Sequence, residues 1–294
     1  MQKFKNQGAL LVVLSVFLVI ISFTGCDIIN PSEKIPAYIH IDSFDLKGNY
    51  DSNGTLSHSI TDVWVVVDND FIGAFELPAD IPVLKEGSHK ILLKAGIKEN
   101  GISNTRLPYP FYAPYIATFD LKPNVTDTIR PLIYYNEGGY KMAFNEDYEN
   151  PNYAFIKSLN STITPEITNL NGFVFEGDNS LIARLTKKND LFQIETVQLF
   201  QMPRAHAIFM EINYKSDISL KVGYYAVSSS QTYQHLVLTL NPAKTWKKIY
   251  VNMGGEIDYE PKQYFFRFFL GGIKYSENDT SVVQFDNIKL LYLE

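Results

Sequence analysis

The ten residues Ala207-Ile-Phe-Met-Glu-Ile-Asn-Tyr-Lys-Ser216 set the fold class. Met210, Ile212 and Tyr214 fall on one side of an extended chain, and Glu211 and Asn213 on the other. This period of two belongs to a β-strand with one buried face. Ser219 to Val227 repeats the pattern: Leu220, Val222 and Tyr224 oppose Lys221 and Tyr225. In Tyr264 to Leu270, Arg267 is the lone charge of an aromatic strand. Phe266, Phe268 and Leu270 are expected in the core, with Phe265, Arg267 and Phe269 outside. No run of 12 or more residues carries a persuasive helical period, so the reading is all-β, as two β-sandwiches.

Earlier in the chain the strand candidates are Ala37 to Leu46, Asp62 to Val67, Phe71 to Leu77, His89 to Ala95, Tyr115 to Leu121 and Thr128 to Tyr135. Asp68-Asn-Asp70 joins two of them as a hairpin turn, because Asn and Asp tolerate the positive φ of tight turns. These strands make a first domain of residues 37–135, and a second spans 136–294. The spacing from Asp68 through Gly73, Pro78 and Glu86-Gly87 to His89-Lys-Ile91 resembles PEGA-type or immunoglobulin-like envelope modules. The segment Arg106-Leu-Pro-Tyr-Pro-Phe-Tyr-Ala-Pro-Tyr115 crowds Tyr109, Phe111, Tyr112 and Tyr115 among prolines. Such a composition suits a protein interface, or a plug over its own sandwich.

The start of the chain indicates a location. Lys3 and Lys5 precede an apolar run from Ala9 to Ile21 broken only by Ser15, the pattern of a secretory signal over residues 1–25. The run is shorter than the roughly 20 residues of a membrane span. Phe23-Thr-Gly-Cys26 resembles a lipobox, with Phe23 where Leu is usual, and Cys26 is the sole cysteine. The resemblance implies cleavage before Cys26 and acylation of its sulfur, with 26–36 as a tether. The expected place is the cell envelope, as an outer-membrane lipoprotein on either face. The formal charge is −6, and removal of residues 1–25 takes away two lysines and no acid. This balance excludes nucleic acid and electrostatic attachment to anionic lipid.

In the second domain, Phe144-Asn-Glu-Asp-Tyr-Glu149, Gly177-Asp-Asn-Ser-Leu-Ile-Ala-Arg-Leu185, Thr245-Trp-Lys-Lys-Ile-Tyr-Val251 and Val283-Gln-Phe-Asp-Asn-Ile-Lys-Leu-Leu291 resemble strands of carbohydrate-binding-module-like jelly rolls. Together the two resemblances are similar to lipoproteins of Bacteroidota. The second implies a structural calcium ion shared by Glu149 and Asp286, with backbone carbonyls completing the hard-oxygen shell. Glu256-Ile-Asp-Tyr-Glu260 resembles the Glu-x-Asp-x-Glu strand of laminarinase-type glycoside hydrolases, in which Glu256, Asp258 and Glu260 would act as nucleophile, helper and acid/base. Gly254-Gly255 before it and Pro261 after it argue for a loop.

No nucleophile elbow, zinc-binding His pair or phosphate loop occurs, and the five histidines are scattered. Asp68 to Ala79 fails as a calcium loop because Ala79 stands where a bidentate Glu is required. The expected function is therefore non-catalytic binding or assembly with a protein partner or a glycan. Its expected surface combines Glu211, Asn213, Lys221, Tyr225 and Arg267. A glycoside hydrolase and a structural subunit of an outer-membrane machine are the alternatives.

Overall fold

The computed structural model describes Ser15, residues 33–277 and residues 279–293, so the lipobox and Cys26 lie outside the described residues. The first unit contains β1 (Ala37–Ile41), β2 (Asp45–Lys47), β3 (Ile60–Val67), β4 (Asp70–Glu76), β5 (Ala79–Val83), β6 (Gly87–Lys98), β7 (Arg106–Pro108), β8 (Tyr115–Leu121), β9 (Thr126–Ile129) and β10 (Leu132–Tyr134). One sheet runs β4-β3-β6, with β7 and β8 both pairing with β6. Opposite it lie β5-β1-β9 and the parallel pair β2-β10. Alternate residues point between them: Val63, Val65 and Val67 from β3 and Ile91, Leu93 and Ala95 from β6 meet Ile39, Ile41, Ile81 and Val83.

The hairpin turn forms as its residue types require, with Asp68 and Asn69 at φ 50° and 76°. Two expected strands divide instead. Ala37 to Leu46 breaks before Asp45, and Thr128 to Tyr135 breaks at Arg130-Pro131, where Pro131 has no amide to continue a ladder. The strand β5 escapes the sequence reading because Pro82 interrupts it. It is an edge strand, paired with β1 alone, where a missing amide costs least.

The second unit contains β11 (Lys141–Glu146), β12 (Phe155–Lys157), β13 (Glu166–Thr168), β14 (Ser180–Leu185), β15 (Leu191–Thr196), β16 (Ile208–Ser216), β17 (Leu220–Val227), β18 (Thr232–Leu240), β19 (Ala243–Asn252), β20 (Phe265–Ile273) and β21 (Ser281–Tyr292). Two antiparallel sheets form a jelly-roll sandwich: β13-β14-β21-β16-β19 with β11 on β21, and β12-β15-β20-β17-β18. Met210, Ile212 and Tyr214 face Val222, Tyr224, Phe266, Phe268 and Leu270 across the core. Each fully buried apolar side chain contributes roughly 1.5–3 kcal/mol.

The first unit lies against the outer face of the first of these sheets. Phe209, Tyr250 and Leu291 point away from their own sandwich and join the core of the first unit. β16 is therefore buried on both faces, unlike the half-buried strand that its alternation suggests. The other sheet, β12-β15-β20-β17-β18, keeps its outer face open.

Candidate functional site

The structure divides the expected binding residues between two surfaces. Glu211 and Asn213 are outward on β16 and fully covered by the first unit, whereas Lys221, Tyr225 and Arg267 stand on the open sheet. The five therefore do not form one site. Period two identifies the side of the strand but cannot show what packs on it.

Glu211 belongs to an ionic seam between the units. Its carboxylate accepts from Tyr109 Oη at 2.8 Å and Tyr135 Oη at 3.1 Å, and pairs with Lys248 at 2.8 Å and Lys289 at 3.5 Å. Lys289 also donates to the carbonyls of Asn53 (2.8 Å) and Thr55 (3.0 Å) and to Tyr135 Oη (2.8 Å). Burial pushes the Glu211 carboxyl up, but the two ammonium groups and the hydroxyl donors outweigh it and hold it at about 2. Burial takes Lys289 down to about 8, against the pull of Glu211. Nearby, Asn213 Nδ2 donates to Ser57 Oγ of the first unit at 2.9 Å.

The aromatic segment is the other half of this seam, which corrects its expected role as a surface for a separate partner. Tyr109, Phe111 and Tyr112 are buried. The Tyr109 ring packs on Phe209 (5.5 Å) and Tyr250 (4.7 Å), and Phe111 on Phe209 (6.1 Å). Tyr112 and Tyr250 share a 3.1 Å hydroxyl hydrogen bond. Tyr115, half-buried, opens β8. Proline-spaced aromatics do make an interface here, and its partner is the second half of the same chain.

Glu256, Asp258 and Glu260 do not line a strand. Gly254–Ile257 is a short helical turn that continues as a turn through Tyr259. Asp258 accepts the Ala205 amide at 2.7 Å. Glu260 accepts from Tyr224 Oη (3.0 Å) and pairs with His235 (3.0 Å), while Glu256 is exposed. Asp258 and Glu260 are thus held in separate structural contacts, and the strand that would put all three acids on one face is not formed.

Glu149 and Asp286 both hold the segment from Phe175 to Asn179. Glu149 Oε1 accepts the amides of Asp178 (2.8 Å) and Asn179 (2.9 Å), and Asp286 Oδ2 those of Phe175 and Glu176 (both 3.2 Å) and the Ser180 hydroxyl (2.8 Å). Burial pushes Asp286 up to about 7 against these donors, and its Oδ1 is buried without a hydrogen-bond partner. Among the described residues no group of three or more His, Cys, Asp or Glu is placed to hold a metal. Glu149 Oε1 and Asp286 Oδ2 are thus engaged by backbone amides, and Asp286 Oδ1 is the carboxylate oxygen that no protein donor reaches.

The open sheet offers a different chemistry. Tyr225 and Arg267 are cross-strand partners, and Lys221 pairs with Gly271, which in turn pairs with Gln193. Phe269 points outward yet is only 2% exposed. Its ring lies over Gly223, where a Cβ would come within 2.5 Å of Phe269 Cζ, and the Tyr225 ring sits 5.2 Å from it at 47°. Gln193 Nε2 donates to Tyr225 Oη at 2.6 Å and to Ser158 Oγ at 3.3 Å, so the Tyr225 hydroxyl is tied to a strand two positions away. Arg267 pairs with Glu195 at 3.2 Å, and its buried Nε has no protein acceptor. Phe265, Leu236 and Ile156 add exposed apolar surface. A fixed ring on an aromatic support, edged by guanidinium, carboxylate, amide and ammonium groups, can stack a flat polar ligand and hydrogen-bond its rim. Gly223, inside a run of strand residues, was the sequence signal for this close packing.

No protein-family model matches the chain, and no curated protein matches it. Among solved structures it is similar to carbohydrate-binding modules of the β-sandwich superfamily, at 11% identity and a TM-score of 0.44, covering 90% of this chain and 100% of that one. It is also similar to the CBM22-1 xylan-binding domain from Paenibacillus barcinonensis (9% identity, TM-score 0.39, 52% of this chain and 96% of that one). A third is the family 11 carbohydrate-binding module from Clostridium thermocellum, in complex with a β-1,3-1,4-mixed-linked tetrasaccharide (16%, 0.33, 52% and 95%). What the present sheets bind is read from their own side chains.

Proposed function

We propose that this chain is an envelope lipoprotein that binds glycan without cleaving it, through the open face carrying Tyr225, Arg267, Lys221, Gln193 and Glu195. The observation that carries this reading is the Tyr225 ring, braced from beneath by Phe269 and pinned at its hydroxyl by Gln193. A preorganised ring loses little conformational freedom on stacking, so more of the contact energy appears as affinity. The neighbouring charged pair supplies directional hydrogen bonds at the ligand's edge.

Anchoring belongs to the same proposal and rests on the sequence around Cys26. Acyl chains contribute about 0.8 kcal/mol per buried methylene, and two or more give stable attachment. Among the described residues no helix is long and apolar enough to cross a membrane. Cys26→Ser is expected to abolish labelling by a fatty-acid analogue; retained labelling would refute the anchor.

For the binding face, electrophoresis through gels containing xylan, mixed-linkage β-glucan or galactan is the first assay. Retardation in at least one polysaccharide, lost in Tyr225→Ala, is expected. Equal mobility of wild type and variant in every gel would refute this face.

A further inference from the structure

One end of the first unit carries apolar side chains that the core beneath does not take up. β1 and β9 start at this end and β5 finishes at it, because Ala37 pairs with Val83 and Tyr38 with Thr126. Ile35 lies two residues before β1, Leu84 one residue past β5 and Val125 one residue before β9, and they are 63%, 60% and 44% exposed. Backbone hydrogen bonds hold two of these loops together: the Asn124 amide donates to the Pro36 carbonyl at 2.9 Å, and the Tyr38 amide to that of Val125 at 2.8 Å. Ile35, Leu84 and Pro123 line one groove of about 620 Å³. Single apolar side chains scattered over a surface are ordinary, whereas these occupy three neighbouring strand ends.

Charge supplies no attraction to lipid at this end. Lys34, Lys85 and Lys122 stand there against Glu33, Asp68, Asp70, Glu86 and Asp120. Lys85 is paired with Asp70 (2.8 Å), Lys122 with Asp120 (3.5 Å) and His89 with Asp68. Without surplus positive charge, such a surface fits the apolar boundary of a bilayer rather than anionic headgroups. The chain enters at the same end. Seven peptide steps separate Cys26 from Glu33, a reach of at most roughly 25 Å. β6, from Gly87 to Lys98, runs roughly 36 Å from this end of the unit towards the other. The reach is shorter than the unit, so an acyl group on Cys26 holds this end, and not the far one, against the lipid.

We propose that the end bearing Ile35, Leu84 and Val125 is a membrane seat, whose side chains enter the headgroup boundary of the bilayer that holds Cys26. The seat rests on the anchoring reading above and adds a second attachment to it. Acyl chains alone leave the protein free to swivel on its tether; three apolar tips in contact with the boundary fix which end faces the lipid.

The acylated chain in phosphatidylcholine vesicles tests the seat. Cys26 is the sole cysteine, so once its sulfur is acylated a cysteine introduced elsewhere is the only free thiol and takes an environment-sensitive fluorophore. In Leu84→Cys and Val125→Cys the emission is expected to shift to the blue on reconstitution, and to be quenched by lipids that carry a nitroxide at shallow depth, independently of salt. Ile102→Cys, at an exposed residue beyond the far end of β6, should keep aqueous emission. Ile35→Asp with Leu84→Asp, both at exposed positions, should return the label of Val125→Cys to aqueous emission. Fatty-acid labelling of the same preparations separates the two readings. Aqueous emission from Leu84→Cys and Val125→Cys in an acylated, vesicle-bound chain overturns the seat and leaves the anchor standing, whereas absence of the fatty-acid label overturns both. A blue shift that appears equally in Ile102→Cys, or that Ile35→Asp with Leu84→Asp does not reverse, also overturns the seat.

Discussion

Replacing Glu211 by Gln leaves a side chain of nearly the same shape beneath the seam and keeps an oxygen for Tyr109, but removes the charge that offsets two buried ammonium groups. Lys248 at 2.8 Å and Lys289 at 3.5 Å then face each other's charge with only carbonyl and hydroxyl oxygens as neighbours. Removing one partner of a buried ion pair costs about 3–5 kcal/mol, because the remaining charge stays desolvated. A chain of this size loses about 2–4 °C of Tm per kcal/mol, so the melting temperature should drop by roughly 6–20 °C. Denaturant unfolding reads the same quantity at constant m. A double-mutant cycle with Tyr109→Phe localises the effect: a hydrogen bond to a charged group contributes about 1.5–3 kcal/mol, which sets the expected coupling. If Glu211→Gln costs less than about 1 kcal/mol and the coupling is near zero, the seam does not join the units in the way argued.

Three further outcomes follow from the second unit. Gly223→Ala should destabilise by about 3 kcal/mol or more, since the new Cβ would meet both the His235 carbonyl and the Phe269 ring, and overpacking alone costs roughly 1–3 kcal/mol; a melt within 1 kcal/mol of wild type would contradict the bracing of Tyr225. Asp286 has a folded pKa of about 7 against 3.8 unfolded, so the native state binds the extra proton between them and stability falls as pH rises from about 4 to about 7. The fall is roughly 4 kcal/mol at most, and Asp286→Asn should flatten it. Because Glu149 and Asp286 already accept amide hydrogens, excess EDTA should leave Tm unchanged; a calcium-dependent rise would assign an ion to them.

Much of the fold is legible in the residues. The alternation in β16, β17 and β20 gives the core positions correctly, including Phe266, Phe268 and Leu270. What alternation cannot carry is the environment of the outward side. Glu211 and Tyr225 have the same status in sequence, each polar or amphipathic and opposite a core residue, yet one is sealed under 102-residue-distant Tyr109 and the other stands on an open sheet. The prolines around Tyr109, Phe111 and Tyr112 mark a surface that packs on something, without stating that the something is Phe209 and Tyr250. Glu256 to Glu260 misleads in the opposite way: period two holds in the letters, but Gly254-Gly255 and Pro261 favour the turn that forms.

Hydrogen–deuterium exchange with and without a retained polysaccharide reads the glycan-bound surface without altering it. Slower exchange on ligand addition is expected in the strands that carry Gln193, Tyr225 and Arg267, with Tyr225→Ala abolishing it and no reducing sugar released. Protection confined to Gly254–Glu260, accompanied by release of reducing sugar that Glu256→Gln abolishes, would contradict a non-catalytic open-face site.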